Sequence, residues 1–402
     1  MNKINTDLKK IDEILDRGMI VEVLPTKKEF REKLLSGEKL RFYIGFDATA
    51  PTLHLSHAKN FMLMEKFRKL GHEVIILFGD FTARIGDPTG ENSARKQLSR
   101  EDVTGNVKKW KELIEPLMDF KSKDNPPKIM YNNDWMAKLT MEDIISLASN
   151  FTVQQMLERD MFQKRMKESK PIHLHEFLYP LMQGYDSVAM DVDVEVCGTD
   201  QTFNALAGRA LLKKLKNKDK FVVTVTLMEN PKTGELMSKS KGVGVFLNAS
   251  ANDMFGQIMS QGDEMIETLF VNNTYLSLEE IKKLMSLNNP RDTKARLARE
   301  IVAIYHGKDA AKKAEDEFNK IFRDKGKPTE MKEMKLETGN WKLVDLLVEI
   351  KLADSKGNAR RLVQQGGVRI DDVVQKDFEK NIEIKNGMIA QVGKRKFVKI
   401  KH

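Results

Sequence analysis

The chain has 402 residues, 41% hydrophobic and 32% charged, which allows two to four domains around a sizeable core and excludes fibrous or disordered classes. A formal net charge of +9 admits a polyanionic partner without demanding one, and the single cysteine, Cys197, excludes an internal disulfide and a cysteine-rich zinc module and suits a reducing cytoplasm. No apolar run approaches membrane-spanning length, so no membrane partner is expected.

From Met1 to Gly18 charged and aliphatic residues alternate, which predicts neither a secretory signal nor a transit peptide. Two short helices are predicted around Thr6 to Arg17 and Thr26 to Leu35, leading into a first strand. The next stretch reads RFYIGF, DATAPT, LHLSHAKNFMLMEKFRKLG and EVIILF: an apolar run, a turn, a helix closed by Gly71, and a second apolar run. That order predicts a βαβ unit, hence a buried parallel sheet with a right-handed crossover.

His54 and His57 lie at the start of this helix, where unpaired backbone N–H groups and the positive dipole pole favour an anion. The pair fits donors to a triphosphate and fits ordinary capping histidines equally well; a metal site would need a further convergent ligand, and nothing nearby supplies an obvious one. Asp87, between Gly86 and Pro88, is placed to point inward from a turn.

Residues from about 103 to 170 read as mainly helical, with Met and Leu at a spacing that signifies core or a helix–helix interface. In LHEFLYPLMQGYDSVAM, Tyr179, Gln183 and Asp186 fall at i, i+4 and i+7 among Leu181, Met182, Val188 and Met190. Polar groups in such company are paired or face a ligand. The strand DVDVEV then ends in Cys197, Gly198, Thr199, Asp200 and Gln201, a second strand-to-helix corner at the carboxyl edge of the sheet. A turn-rich, lysine-bearing loop, NPKTGELMSKSKG, spans 230–242.

Beyond residue 250 the pattern is helical again, including Arg291 to Ala303 and Asp309 to Phe322, and 326–340 reads as a linker. The last segment, 341–402, has an apolar pattern of helices and short strands that carries Arg360 and Arg361, basic enough for phosphate contacts.

The order Asp47-Ala48-Thr49, then Pro51 to His57 at a helix start, resembles the HIGH signature of class I aminoacyl-tRNA synthetases, with Ser56 where Gly is usual. Met237-Ser238-Lys239-Ser240 is similar to the KMSKS signature of that class, with Leu236 in place of its first lysine. Together with Tyr43, the segment Ile85 to Gly90 and a terminal module like that of a ribosomal small-subunit protein, they make nearly the whole chain resemble the bacterial-type tyrosyl-tRNA synthetases.

The resemblance implies an α/β fold: a Rossmann-like parallel-sheet catalytic domain over 1–250 with a helical connective insertion, an α-helical domain over 251–325 that meets the anticodon stem, and a small α+β RNA-binding domain over 341–402. It implies activation of L-tyrosine by ATP with Mg²⁺, followed by transfer of tyrosine to the terminal ribose of tRNA, with no tightly bound metal. A cytoplasmic homodimer is expected. Thr49, His54, His57 and Lys239 would be the catalytic residues. Tyr43, Asp87, Tyr179, Gln183, Asp186 and Gln201 would bind tyrosine, Asp186 accepting the phenolic proton while Tyr43 donates to the same oxygen. Gly45, Asp47, His54, His57, Gly198, Asp200 and Lys239 would bind ATP, and Arg360 and Arg361 would bind RNA. Two other readings stay open: a tryptophanyl enzyme, which would not need Tyr43 and Asp186 about a phenol oxygen, and an inactive relative that serves only as an RNA-binding protein.

Overall fold

Around the strand Arg41–Phe46 the rest of the first unit is assembled. The computed structural model describes residues 3–87, 98–235, 237, 244–287, 289–323, 331–393 and 396–401. These pack into two compact units, Met1–Gly307 and Lys308–His402.

In the first unit the strands are β1 (Ile20–Leu24), β2 (Arg41–Phe46), β3 (Glu73–Phe78), β4 (Lys128–Tyr131), β5 (Val194–Gly198) and β6 (Phe221–Val225). Their spatial order is β1-β6-β5-β2-β3-β4. Every pairing is parallel except β1 on β6, which is antiparallel. The chain leaves β2 in one direction for β3 and later returns on its other side as β5, so the order reverses between β2 and β5, the place where open sheets of this kind bind ligands.

Helices cover both faces. Following the chain they are α1 (Leu8–Asp16), α2 (Lys27–Leu35), α3 (Leu55–Lys69), α4 (Thr82–Ile85), α5 (Arg100–Ile114), α6 (Asn133–Met136), α7 (Met141–Ala148), α8 (Val153–Leu157), α9 (Asp160–Lys167), α10 (Tyr179–Met190) and α11 (Thr202–Lys216). On one face Phe42 of β2 stacks on Phe67 of α3 with ring centroids 4.4 Å apart, and Phe30 of α2 meets both rings at 6.2 Å. All three are fully buried, and each contributes about 1.5–3 kcal/mol of apolar transfer. On the other face Tyr43 packs with Ile75, Leu77, Met190 and Val192. There α10 crosses α11 at two glycines: a Cβ on Gly184 would stand 3.1 Å from the backbone nitrogen of Gly208. Four further helices, α12 (Ala251–Met259), α13 (Ile266–Asn273), α14 (Leu278–Met285) and α15 (Pro290–His306), complete the unit.

The second unit opens with helix Lys308–Phe322 and contains a five-stranded sheet and a two-stranded one. Its core includes Leu346, Leu347, Ala359, Val368, Ala390 and Ile400. Arg360 and Arg361 are exposed on the helix Lys356–Gln364, and Arg360 lies 5.7 Å from the ring centre of Phe378.

Three details differ from the sequence expectations. The run IVEVL is a strand, β1, inside the stretch read as two helices; a five-residue edge strand shows too little alternation to be told from a turn. Residues 332–335, expected within the linker, are a strand that pairs with 398–401, and residues 340–342 form another strand where the linker was expected to meet the last segment. Helix α3 starts at Leu55, so His54 precedes it in extended backbone.

Candidate functional site

A cleft of about 320 Å³ opens at the carboxyl ends of β2 and β5. Its walls include Tyr43, Gly45, Asp47, His57, Asp87, Tyr179, Gln183, Asp186, Gly198, Asp200 and Gln201, eleven of the residues singled out from sequence. Thr49 is exposed and outside this lining, and Arg360 and Arg361 belong to the second unit. Lys239, with 236, 238 and 240–243, lies outside the described residues.

At one end of the cleft the polar side chains sit in apolar surroundings. Tyr43 and Asp186 are almost fully buried. Asp186 accepts from Trp135 Nε1 at 2.8 Å and Asn132 Nδ2 at 3.4 Å, which places Asn132 and Trp135 beside the stripe of Tyr179, Gln183 and Asp186. Burial raises the Asp186 carboxyl well above its usual range, although the two N–H donors oppose it. The Tyr43 hydroxyl meets Ser187 Oγ at 3.1 Å, and burial together with nearby Glu195 and Asp186 raises its pKa.

The middle of the cleft holds two carboxylates. Asp47 accepts from Thr82 Oγ1 at 2.7 Å and from the Tyr179 hydroxyl at 2.8 Å. Burial pushes its pKa up to about 6, against those two hydrogen bonds and with a further push from Asp87. Asp87 accepts from Gln201 Nε2 at 2.7 Å. Gln201 also accepts from Asn204 Nδ2 at 2.8 Å, and Asn204 in turn donates to Gln183 Oε1 at 3.0 Å. Two carboxylates this close favour a cationic ligand group between them.

At the far end stands His57, with His54 buried beside it and outside the lining. Their rings are 4.1 Å apart, and His57 is bracketed by Trp110 at 5.7 Å and Phe46 at 6.4 Å. Burial lowers their pKa values to about 4 for His54 and about 3 for His57, so both are neutral imidazoles near pH 7. His54 Nδ1 is buried without a protein partner, the condition of an atom awaiting a ligand. The segment after the lysine loop is tied to this corner by its backbone: Leu55 N donates to Val245 O at 3.1 Å and Leu247 N to Leu53 O at 2.9 Å.

Several functional neighbours escaped the sequence reading. Thr82, Ser187, Glu195, Asn204 and Lys220 complete the network through contacts that span tens to more than a hundred residues, and only Glu195, an acidic residue inside an apolar strand, left a local signal. Among the described residues no group of three or more His, Cys, Asp or Glu is arranged to hold a metal ion. No described helix is long and apolar enough to cross a membrane.

A family model described as tRNA synthetases class I (W and Y) matches residues 35–323, and one described as the tyrosine–tRNA ligase SYY-like C-terminal domain matches 324–400. The tyrosine–tRNA ligase of Moorella thermoacetica is 39% identical over 99% of this chain and 97% of its own. That of Haemophilus influenzae is 41% identical over 100% of this chain and 98% of its own. Among solved structures, a C-terminally truncated mitochondrial tyrosyl-tRNA synthetase of Aspergillus nidulans shares the fold, with a TM-score of 0.66 at 23% identity over 78% of this chain and 94% of that one. The Archaeoglobus fulgidus tyrosyl-tRNA synthetase complexed with L-tyrosine gives a TM-score of 0.59 at 18% identity, over 77% and 100%.

Proposed function

The chain belongs to the class I tRNA synthetase family of the tryptophan and tyrosine enzymes, and from that membership we infer that it is a tyrosine–tRNA ligase. The observation that carries the choice of tyrosine is the buried pair Tyr43 and Asp186 at the closed end of the cleft. Two polar groups sunk in apolar surroundings suit a phenol oxygen, which exchanges hydrogen bonds with both; phenylalanine would leave them unpaired. Asp87, with Tyr179, Gln183 and Gln201 around it, receives the ammonium.

ATP, brought with Mg²⁺, lies toward Gly45, Asp47, Gly198 and Asp200, its phosphates at His54, His57 and Thr49. The tyrosine carboxylate attacks the α-phosphorus and diphosphate leaves, giving tyrosyl-adenylate. The neutral imidazoles donate hydrogen bonds to phosphate oxygens, and Lys239, whose loop leads into the segment paired with Leu53 and Leu55, balances the charge that builds on them. The terminal ribose hydroxyl of tRNA then takes the acyl group and releases AMP. No enzyme nucleophile is required, so catalysis is positioning plus charge stabilisation.

Residues 251–325 are assigned to the anticodon stem and 341–402, through Arg360 and Arg361, to RNA phosphates. A homodimer is supported by the helical insertion, where Met141, Ile145 and Val153 are 71%, 62% and 64% exposed, and by Leu174 just beyond it, 80% exposed; the cytoplasm is the compartment that the single cysteine suits. Amino-acid-dependent ATP–diphosphate exchange, run with tyrosine, tryptophan and phenylalanine, tests the reading. Exchange with tyrosine alone is expected; exchange with tryptophan, or with none of the three, overturns it.

A further inference from the structure

Behind the wall of the cleft lies a charged side chain that the reaction above does not use. Lys220, just before β6, is fully buried. Its ammonium bonds to Glu195 Oε2 and, at 2.6 Å, to Ser187 Oγ, and it stands 5.7 Å from the centre of the Tyr43 ring. The helices make room for it: a Cβ on Gly208 would come within 2.7 Å of the Lys220 nitrogen. Stability is a poor explanation for the arrangement, because a buried ion pair holds a fold no better than well-packed apolar side chains of the same volume.

What the pair touches is more informative. Glu195 lies opposite Tyr43 in the parallel register of β2 and β5, so both side chains leave the same face of the sheet. Its Oε1 accepts from Gln183 Nε2 at 3.3 Å, and its Oε2 accepts from the Ser187 hydroxyl at 3.3 Å. Ser187 in turn bonds to the Tyr43 hydroxyl at 3.1 Å. An ammonium has donors only and an ionised carboxylate acceptors only. Lys220 therefore fixes Glu195 as an acceptor, Glu195 fixes the amide of Gln183 and the hydroxyl of Ser187, and Ser187 holds one side of the Tyr43 hydroxyl while its other side faces the cleft.

We propose that Lys220 is a positioning residue for amino-acid selection, acting through Glu195 and Ser187 on Tyr43 at the ring end of the substrate and on Gln183 at its ammonium end. The inference rests on the assignment of this end of the cleft to tyrosine. Lys220→Met keeps length and apolar volume but removes the charge and the three donors.

In the full-length protein, exchange kinetics with Lys220→Met should show the KM for tyrosine up about tenfold and the tyrosine-to-phenylalanine ratio of kcat/KM down about tenfold, with the KM for ATP within about twofold of the parent. Because Lys220→Met leaves Glu195 buried without its partner, which destabilises the fold, the double variant Lys220→Met with Glu195→Gln removes both charges and is measured alongside. A folded variant whose tyrosine KM and selectivity match the parent overturns the inference, as does an equal rise in the KM for ATP, the mark of a general structural defect. Asp186→Asn, measured in parallel, separates the two levels of argument. If it lowers selectivity while the Lys220 variants do not, the positioning role falls alone; if selectivity is unchanged in Asp186→Asn as well, the tyrosine assignment falls with it.

Discussion

The indole N–H of Trp135 donates to Oδ1 of Asp186 at 2.8 Å, joining the first helical turn after β4 to the middle of α10 across 51 positions of sequence. One oxygen of the carboxyl is thereby fixed and the group is turned toward the cleft. Trp135→Phe keeps most of the ring and loses the donor. The KM for tyrosine should rise roughly 3- to 10-fold, the usual worth of a hydrogen bond between uncharged groups. An unchanged KM in the exchange assay would remove Trp135 from the account.

Asp47 links stability to pH. Its carboxyl has an ordinary value of 3.8 and is pushed up to about 6 in the folded protein, chiefly by burial. Between those values the folded chain keeps a proton that the unfolded chain has released, so this group favours folding below about pH 4 and the advantage is lost as the pH rises through about 6. Asp47→Asn should therefore stabilise the apo protein at pH 7 by up to about 3 kcal/mol and by little at pH 4. Thermal midpoints of both proteins from pH 4 to 7.5 check this; parallel curves would contradict it.

His54 and His57, lowered to about 4 and about 3, should stay uncharged from pH 5.5 to 8. Their imidazole proton resonances, assigned through His54→Gln and His57→Gln, are expected not to move over that range. A titration of either near pH 6.5 would contradict the neutral donors proposed for the phosphates.

Lys239→Ala should slow adenylate formation in single-turnover experiments by about 10²–10³, as removal of one preorganised donor does. Tyrosine affinity should change little, since the role proposed for the lysine is at the phosphates. A normal single-turnover rate would exclude the role.

Gly208→Ala tests the helix crossing. The added methyl would meet Lys220 Nζ at 2.7 Å, Ser187 Oγ at 3.0 Å and Gly184 Cα at 3.2 Å, so the helices must part. A loss of about 1–3 kcal/mol in denaturant unfolding is expected, the typical cost of overpacking. Full stability would show that α10 and α11 have slack at this point.

Local pattern was enough for the βαβ unit, because an apolar run, a capped helix and a second apolar run each have their own period and end signals. It was enough, too, for the stripe of Tyr179, Gln183 and Asp186, since helical spacing alone puts them on one face and apolar neighbours make that face costly without partners. Which atoms become those partners is a matter of tertiary structure. Tyr43 finds Ser187, Tyr179 finds Asp47 and Asp186 finds Trp135, at separations of 144, 132 and 51 residues, because the parallel register of β2 and β5 and the close crossing of α10 on α11 bring them within 3.1 Å, and no spacing along the chain encodes a register between strands. The same holds for Lys220: in sequence it is one lysine among many before an apolar run, and only a sheet covered on both faces turns it inward and makes its charge matter.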